Sequence, residues 1–378
     1  MLRKVEIKKL FGIYSYAIDI VNGDNYPMRF ITGPNGSGKS TLLNLLFALF
    51  DHQYGKFFDI EFEELSIWFD KEEFKILQLR EFDQEESSDE SLPTEIKLSV
   101  TYKMDQKEIE SFSVKKGEDW GGMTEMFFKT YPVFFINDER NIHLKSDYHQ
   151  NHNNDVCARL QEDVDDFKDK LSMNILDLSF AAEMGKAMKK GEYEKEILSL
   201  MPQIRMLKKW GLVKPDFEFI DYFDGLSYFL RNYIKEIRAA LQSDFIKRVE
   251  LFVDTINAFK FINKHLELDQ KSGFYFIMDQ ISRPPLLPEE LSSGERHLLL
   301  QVYELLFVAS PKSLVLLDEP ELSMHMYWQI NYARLIAKIA EVRELQVVVA
   351  THSTRIFNQI WEHSADLYRI TTSQKNKK

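Results

Sequence analysis

The chain predicts an α/β fold: a phosphate-loop core on a parallel sheet, an antiparallel β subdomain and an inserted helical domain. Met28-Arg29-Phe30-Ile31-Thr32 reads as a buried strand, Gly33-Pro34-Asn35-Gly36-Ser37-Gly38-Lys39-Ser40 satisfies the pattern GxxxxGK[ST], and Thr41 to Phe50 (TLLNLLFALF) reads as an apolar helix. Ser313 to Leu317 and Gln346 to Ala350 are short, mostly apolar runs suited to central strands covered on both faces. Between these two sets lie several alternating segments and then a long stretch of helical spacing.

In chain order, residues 5 to 32 read as two strands, with Asn-Gly turn chemistry at Val21-Asn22-Gly23-Asp24. After the apolar helix, Leu65 to Phe69, Phe74 to Leu79, Ile96 to Tyr102 and Ile109 to Val114 alternate, which suggests an antiparallel layer. Glu81 to Pro93 (EFDQEESSDESLP) is acidic, Ser-rich and nearly without apolar residues, so it reads as a loop. Val133 to Ile136 is another buried strand, ending at Asn137-Asp138-Glu139-Arg140. From about Asn151 to His265 helical spacing takes over, in Phe229, Tyr233, Ile237 and Ala240 and again in Val249, Phe252, Val253 and Ile256. Gly211 to Gly225, with Pro215, breaks that stretch. Gly273 to Gln280 returns to strand, and helices over Glu295 to Phe307 and Met326 to Ala340 precede and separate the two apolar strands. The expected division is an N-terminal lobe over 1–140, a helical insertion over 141–272 and a C-terminal lobe over 273–378.

Forty-four per cent hydrophobic and 29% charged residues suit a soluble chain with a sizeable core, and 378 residues suit two or three structural units. No apolar stretch reaches the roughly eighteen residues of a membrane span. The opening MLRKVEIKKLFGIYSYAIDI is strand-like rather than a signal peptide, and Cys157 is the only cysteine, so a cytoplasmic location without internal disulfides is expected. The formal charge of −12 does not indicate nucleic acid as a partner, although local basic clusters (Lys186, Lys189, Lys190; Arg205, Lys208, Lys209) leave it open. Such clusters are commonly solvated helix faces. The same applies to the carboxylates Glu162, Asp163, Asp165, Asp166 and Asp169. His143, His149 and His152 lack fixed ligand spacing and define no metal site.

The glycine loop carries the chemistry. Its glycines let the backbone curl so that successive N–H groups face phosphate oxygens, and the positive end of the next helix adds to the attraction. Lys39 would reach the β- and γ-phosphates, and the Ser40 hydroxyl would complete a Mg²⁺ shell. Asn35, Gly36, Ser37, Gly38, Lys39, Ser40 and Thr41 are therefore the expected ATP-binding residues. With only 15 Gly in 378 residues, a chance match in a Gly-rich turn is a poor account.

A second set of motifs lies near the other end. Leu314-Val315-Leu316-Leu317-Asp318-Glu319-Pro320 places two carboxylates after four apolar residues. At the C-terminal edge of a parallel strand, Asp318 would hold the Mg²⁺ shell and Glu319 would polarise the attacking water. Asp-Glu-Pro merely ending a strand is the plainer account, disfavoured by the upstream phosphate loop. Leu291-Ser292-Ser293-Gly294-Glu295 reads as a helix start with a cap, and Ser and Gly ahead of a helix also make an anion site. His352 follows a core strand; alone, it would read as structural.

Gly33 to Thr41, Leu291 to Glu295, Leu314 to Glu319 and His352 resemble, in order, the Walker A, signature, Walker B and switch-histidine motifs of ABC-type ATPases. LSSGE in place of the transporter LSGGQ is similar to the branch that includes DNA-repair, SMC and OLD-family ATPases. Pro320-Glu321-Leu322-Ser323 would be the D-loop, which in that family crosses a dimer interface. Met324-His325-Met326 departs from the Leu-His-Pro often found there, and no clear Q-loop glutamine exists; Asn137 or Arg140 is the substitute. The opening strand, the phrase DEPELSMH and the insertion further resemble stand-alone ATPases of prokaryotic anti-phage systems of Septu, PARIS or retron-associated type.

That resemblance implies ATP and Mg²⁺ as cofactors and two copies of the chain enclosing shared ATP. The phosphate loop, Asp318 and Glu319 would act from one copy, and Ser292, Ser293 and Gly294 from the facing one. Lys39, Glu319 and His352 would be catalytic, and a separate effector, a nuclease encoded alongside, would be controlled. The polar tail Thr371 to Lys378 leaves no room for the C-terminal nuclease of OLD-family proteins. The alternative is a DNA-repair or SMC-like ATPase acting directly on DNA, for which the insertion is short, broken and without sustained heptads. A transporter subunit is disfavoured by the size of the insertion.

Overall fold

A computed structural model describes residues 1–21, 26–81, 95–118, 120–137, 142–144, 199–200, 202–207, 209–210, 238, 241–269, 273–280, 284–286, 290–358 and 360–370. Residues 22–24 of the expected turn, 82–93 of the acidic loop, the carboxylates of 162–169, the break at 211–225, and Arg140, His149 and His152 lie outside them. The chain divides into two compact units, one of Met1–Gln150 with Phe307–Lys378 and one of Asn151–Leu306.

The first unit holds two six-stranded sheets. One comprises β1 (Leu2–Leu10), β2 (Tyr14–Asp19), β4 (Glu64–Phe69), β5 (Glu72–Glu81), β6 (Glu95–Met104) and β7 (Lys107–Lys115), in the order β2-β1-β4-β5-β6-β7, all antiparallel. This is the antiparallel layer expected from the alternating segments. The other comprises β3 (Met28–Thr32), β8 (Val133–Ile136), β9 (Ile142–Leu144), β12 (Leu314–Asp318), β13 (Gln346–Thr351) and β14 (Ser364–Asp366), in the order β14-β3-β13-β12-β8-β9. Its pairings are parallel except β8 with β9. Every residue of β8, β12 and β13 is buried, which explains their unbroken apolar runs.

Helix α1 (Lys39–Phe50) buries nine of its twelve residues, and its leucines and phenylalanines join a core that includes residues of both sheets. A helix apolar on nearly every side must be central rather than amphipathic, and this one carries the phosphate loop at its N-terminus. Short α2 (Lys56–Asp59) and α3 (Gly122–Thr130) complete that core, in which Phe50, Phe69, Phe74 and Phe128 meet edge-on or tilted at centroid distances of 4.5–6.2 Å.

One correction concerns the N-terminus. Residues 5 to 32 form three strands, not two, because the chain reverses at Phe11-Gly12-Ile13. Lys9 (φ 51°), Phe11 (φ 54°) and Gly12 (φ 72°) adopt left-handed backbone there, and Glu61 accepts the Phe11 N–H at 2.8 Å. Two of those residues are not glycine, so composition alone gave little sign of a turn.

The two sheets are also joined by a side chain. Gln346 opens β13 yet accepts the Leu2 N–H at 2.9 Å and donates to the Leu2 carbonyl at 2.7 Å, with both residues buried. Gln346→Ala strands both groups and is expected to cost about 2–5 kcal/mol. A lowered thermal midpoint of the nucleotide-free protein checks this; an unchanged midpoint contradicts it.

In the second unit, α4 (Asp244–Ala258) starts at a Ser243 cap; of the residues whose spacing reads as helical, Val249, Phe252 and Ile256 are buried and Val253 is half-buried, and Ile246 joins the buried face. The strand β10 (Lys264–Asp269) pairs antiparallel with β11 (Gly273–Met278), so strand begins at about His265, where helical spacing is expected to end. The alternation that sends Leu266 and Leu268 inward marks the change. The Asn257 side chain brackets Leu266, accepting its N–H at 2.7 Å and donating to its carbonyl at 3.0 Å. Helix α5 (Ser293–Tyr303) continues as π-helix over Glu304–Val308, and α6 (Met326–Arg343), in the first unit, runs between β12 and β13.

Candidate nucleotide-binding site

β13 lies between β3 and β12, so the phosphate loop after β3, Asp318 and Glu319 at the end of β12 and His352 after β13 all emerge at the same C-terminal sheet edge. A cleft of about 570 Å³ opens there, walled by Phe11, Asn35, Gly36, Gly38, Lys39, Ser40, Thr41, Glu319 and His352. Ser37 is buried within the loop, and its carbonyl accepts the Tyr16 hydroxyl at 2.7 Å, bracing the loop from β2. The first amides of α1 have no intrahelical acceptor and are available to an anion.

Gly38 caps α1 at φ 83°, and a Cβ there would lie 2.6 Å from Leu10 Cδ2, inside a fully buried side chain. Gly36 has φ 77° but open space around its missing Cβ. Gly38→Ala should therefore cost about 2–4 kcal/mol and Gly36→Ala about 1–2 kcal/mol, the difference being overpacking. Comparing thermal midpoints of the two variants checks this, and equal losses would contradict it.

Lys39 is 4% exposed. Its ammonium donates to the carbonyls of Gly33 (3.0 Å) and Pro34 (3.3 Å) and lies 2.7 Å from His352 Nε2. Burial lowers its pKa, and the charges of Glu319, Asp318 and Glu321 oppose that shift. The ammonium thus lies in the electrostatic field of three carboxylates. His352 Nε2 also lies 3.1 Å from Glu319 Oε1. Burial and then Lys39 push the imidazole below its ordinary pKa, with Glu319 pulling the other way. A ring neutral at neutral pH can accept from Lys39 or donate to Glu319 at that nitrogen, and its tautomer decides which.

Glu319 itself sits in left-handed backbone, φ 46°, uncommon for a non-glycine residue and of the kind stored at reactive sites. Asp318 is 2% exposed, does not form the cleft wall, and acts electrostatically on Lys39. The Asp318 carboxylate and the Ser40 hydroxyl are hard oxygen donors of the kind Mg²⁺ takes, so their chemistry suits that ion.

Ser292, Ser293 and Gly294 belong to the second unit. Ser292 caps α5 in a reciprocal capping box: Glu295 Oε2 accepts the Ser292 N–H at 3.0 Å, and Ser292 Oγ accepts the Glu295 N–H. Lys264 of β10 pins Glu295 at 3.0 Å. Gly294 is buried and Ser293 exposed at this braced helix start. Asn137 follows β8 and is half-buried.

At this edge the sequence pattern places neither Phe11 on the cleft nor the contacts of Glu321, a residue of the expected D-loop. Phe11 falls within the expected strand, yet the hairpin tip puts it on the cleft wall. Glu321 is 7% exposed and accepts from the end of β13, a contact 30 residues away that no local pattern announces. Among the described residues no helix is long and apolar enough to cross a membrane, and no three His, Cys, Asp or Glu side chains group to hold a metal.

Residues 195–358 match the family described as "AAA domain, putative AbiEii toxin, Type IV TA system", and residues 25–115 match the ABC transporter family. No curated protein matches the chain. Three solved structures are similar over 94% of this chain and 91% of their own: an SMC head bound to the C-winged helix domain of ScpA (13% identity, TM-score 0.40), a Smc head bound to the C-terminal domain of ScpA from Pyrococcus furiosus (13%, 0.36), and the SMC head from Thermotoga maritima (14%, 0.37). The architecture is an α/β fold consistent with a phosphate-loop ATPase core, with one segment similar to ABC transporter domains and another to AAA domains.

Proposed function

We propose that this chain is a Mg²⁺-dependent ATPase that closes as a homodimer around ATP and controls a separate effector, a nuclease, in anti-phage defence. The observation that carries the ATPase is the meeting of Lys39, Glu319 and His352 in one cleft beneath a phosphate loop. Loop amides and Lys39 bind and orient the triphosphate, and Phe11 lines the same cleft beside Gly38. Glu319 takes a proton from the attacking water. His352, neutral and within reach of both Lys39 and Glu319, contacts the γ-phosphate. Mg²⁺, held by Ser40 and Asp318, would neutralise charge gathering on the phosphate oxygens. Catalysis is then positioning and electrostatics rather than covalent chemistry.

Closure by a second copy is supported by the exposed Ser293 at the start of α5, which offers a hydroxyl and helix amides to a γ-phosphate held by another chain. The description matched by 195–358, that of a putative toxin of a toxin–antitoxin system, supports placing the chain in a defence setting. Phosphate release measured with Mg²⁺ and again with EDTA tests the ATPase: release only with Mg²⁺ is expected, and none in either contradicts it. Affinity capture of the tagged chain from its host, with and without ATP, tests the effector; a permease in place of a nuclease would contradict it.

A further inference from the structure

We propose that Glu321 is a positioning residue that locks the loop bearing Glu319 to the loop bearing His352, so that both meet the nucleotide as one rigid unit. This rests on the ATPase reading of the cleft. The ladder between β12 and β13 ends at Asp318 opposite Ala350, with one further bond from the Glu319 N–H to the Ala350 carbonyl at 2.8 Å. Beyond that point β12 leaves the sheet, turning sharply through left-handed Glu319 (φ 46°) and Ser323 (φ 67°), while β13 runs one residue further, to Thr351 opposite Thr32 of β3, before His352. Regular pairing no longer fixes His352 relative to Glu319.

Glu321 supplies the missing link. Its Oε1 accepts the Thr351 hydroxyl, the His352 N–H at 3.2 Å and the Ser353 N–H at 3.1 Å. Three donors from the end of β13 thus converge on one oxygen. A second strap runs beside it: Gln329 of α6 donates to the Met324 carbonyl at 3.1 Å and accepts the Ser353 hydroxyl at 2.7 Å. Both straps cross from the segment after β12 to the segment after β13, and one grips the backbone of His352 itself.

The arrangement is costly, which argues that it is kept for more than packing. Glu321 is 7% exposed, its Oε2 is buried with no hydrogen bond among the described residues, and burial pushes its carboxyl above the usual range despite the Thr351 bond. An apolar side chain would fill the space without that penalty but could not hold three donors.

The test compares Glu321→Ala with Glu321→Gln. Alanine releases all three donors, so ATP turnover should fall about 100-fold, the scale of an ångström-level misplacement, with affinity for a fluorescent ATP analogue changed by less than about threefold. Glutamine keeps an acceptor oxygen and should hold turnover within about tenfold of the parent. The ring signals of His352 in the nucleotide-free protein, assigned by their loss in His352→Gln, give a second readout that does not depend on turnover. They should match the parent in Glu321→Gln and shift or broaden in Glu321→Ala. Parent-like turnover and ring signals in Glu321→Ala would overturn the proposal, as would equal losses in both variants or a turnover loss with unmoved ring signals. If the parent hydrolyses no ATP the ATPase reading fails, and the ring signals still decide whether Glu321 places His352. Should Glu321→Ala not fold, Glu321→Asp, one methylene shorter, takes its place in the same comparison.

Discussion

Glu319→Gln is expected to lower ATP turnover by a factor of about 100 to 10,000 while leaving ATP bound, so that a nucleotide-filled dimer accumulates. The range is that lost when a positioned proton acceptor is removed. Glutamine has the shape of glutamate and shares its backbone preferences, so the left-handed turn at φ 46° and the approach to His352 can persist. What disappears is the ability to take a proton, together with one negative charge beside the incoming phosphates. Binding is therefore unharmed or improved, and only cleavage stalls. Size exclusion with light scattering checks this: the variant with ATP and Mg²⁺ should run at twice the mass of the nucleotide-free chain, and an unchanged mass would contradict the closed dimer.

Lys39→Ala is expected to weaken ATP binding about 10- to 100-fold and to abolish measurable turnover, the loss of charge-assisted hydrogen bonds to phosphate. The environment of Lys39 enlarges the effect. Its ammonium is buried and bonded to Gly33, Pro34 and His352, and it faces the charges of Glu319, Asp318 and Glu321. Without it, the charges of Glu319, Asp318 and Glu321 that the ammonium offsets are left to oppose an incoming triphosphate. Equilibrium titration with a fluorescent ATP analogue measures the change, and a dissociation constant equal to the parent's would count against the phosphate-loop assignment.

The parts legible in the sequence were those where chemistry and periodicity coincide within a few residues. Met28 to Phe50 carries strand, glycine loop and apolar helix together, and β3 and α1 fall there. Leu314–Asp318 and Gln346–Thr351 were legible because strands buried on both faces exclude polar residues. The hairpin tip at Phe11 was not, since its left-handed turn uses Lys9 and Phe11 beside a single Gly12. The hairpin beginning at Lys264 was hidden by the helical spacing of α4 just before it. Glu321 was legible only as part of a motif. Its three acceptor contacts arise from adjacent parallel strands whose ends are 30 or more residues apart in sequence. Gln346 joins Leu2 across a separation of 344 residues, which no window of sequence could register.

The claim on which the account turns is that each ATP is shared between two chains, and mixing two inactive variants tests it most directly. Lys39→Ala removes the phosphate-loop half of a site. Ser293→Asp sets a carboxylate at the exposed start of α5, where an acidic residue suits the helix but repels a γ-phosphate. Each alone should be inactive. Mixed in equal amounts, half of the randomly formed dimers hold one intact composite site, so about a quarter of the parent turnover should return. If the mixture stays as inactive as its components while each variant is folded and able to dimerise, the site is completed within one chain and the shared-ATP account is wrong.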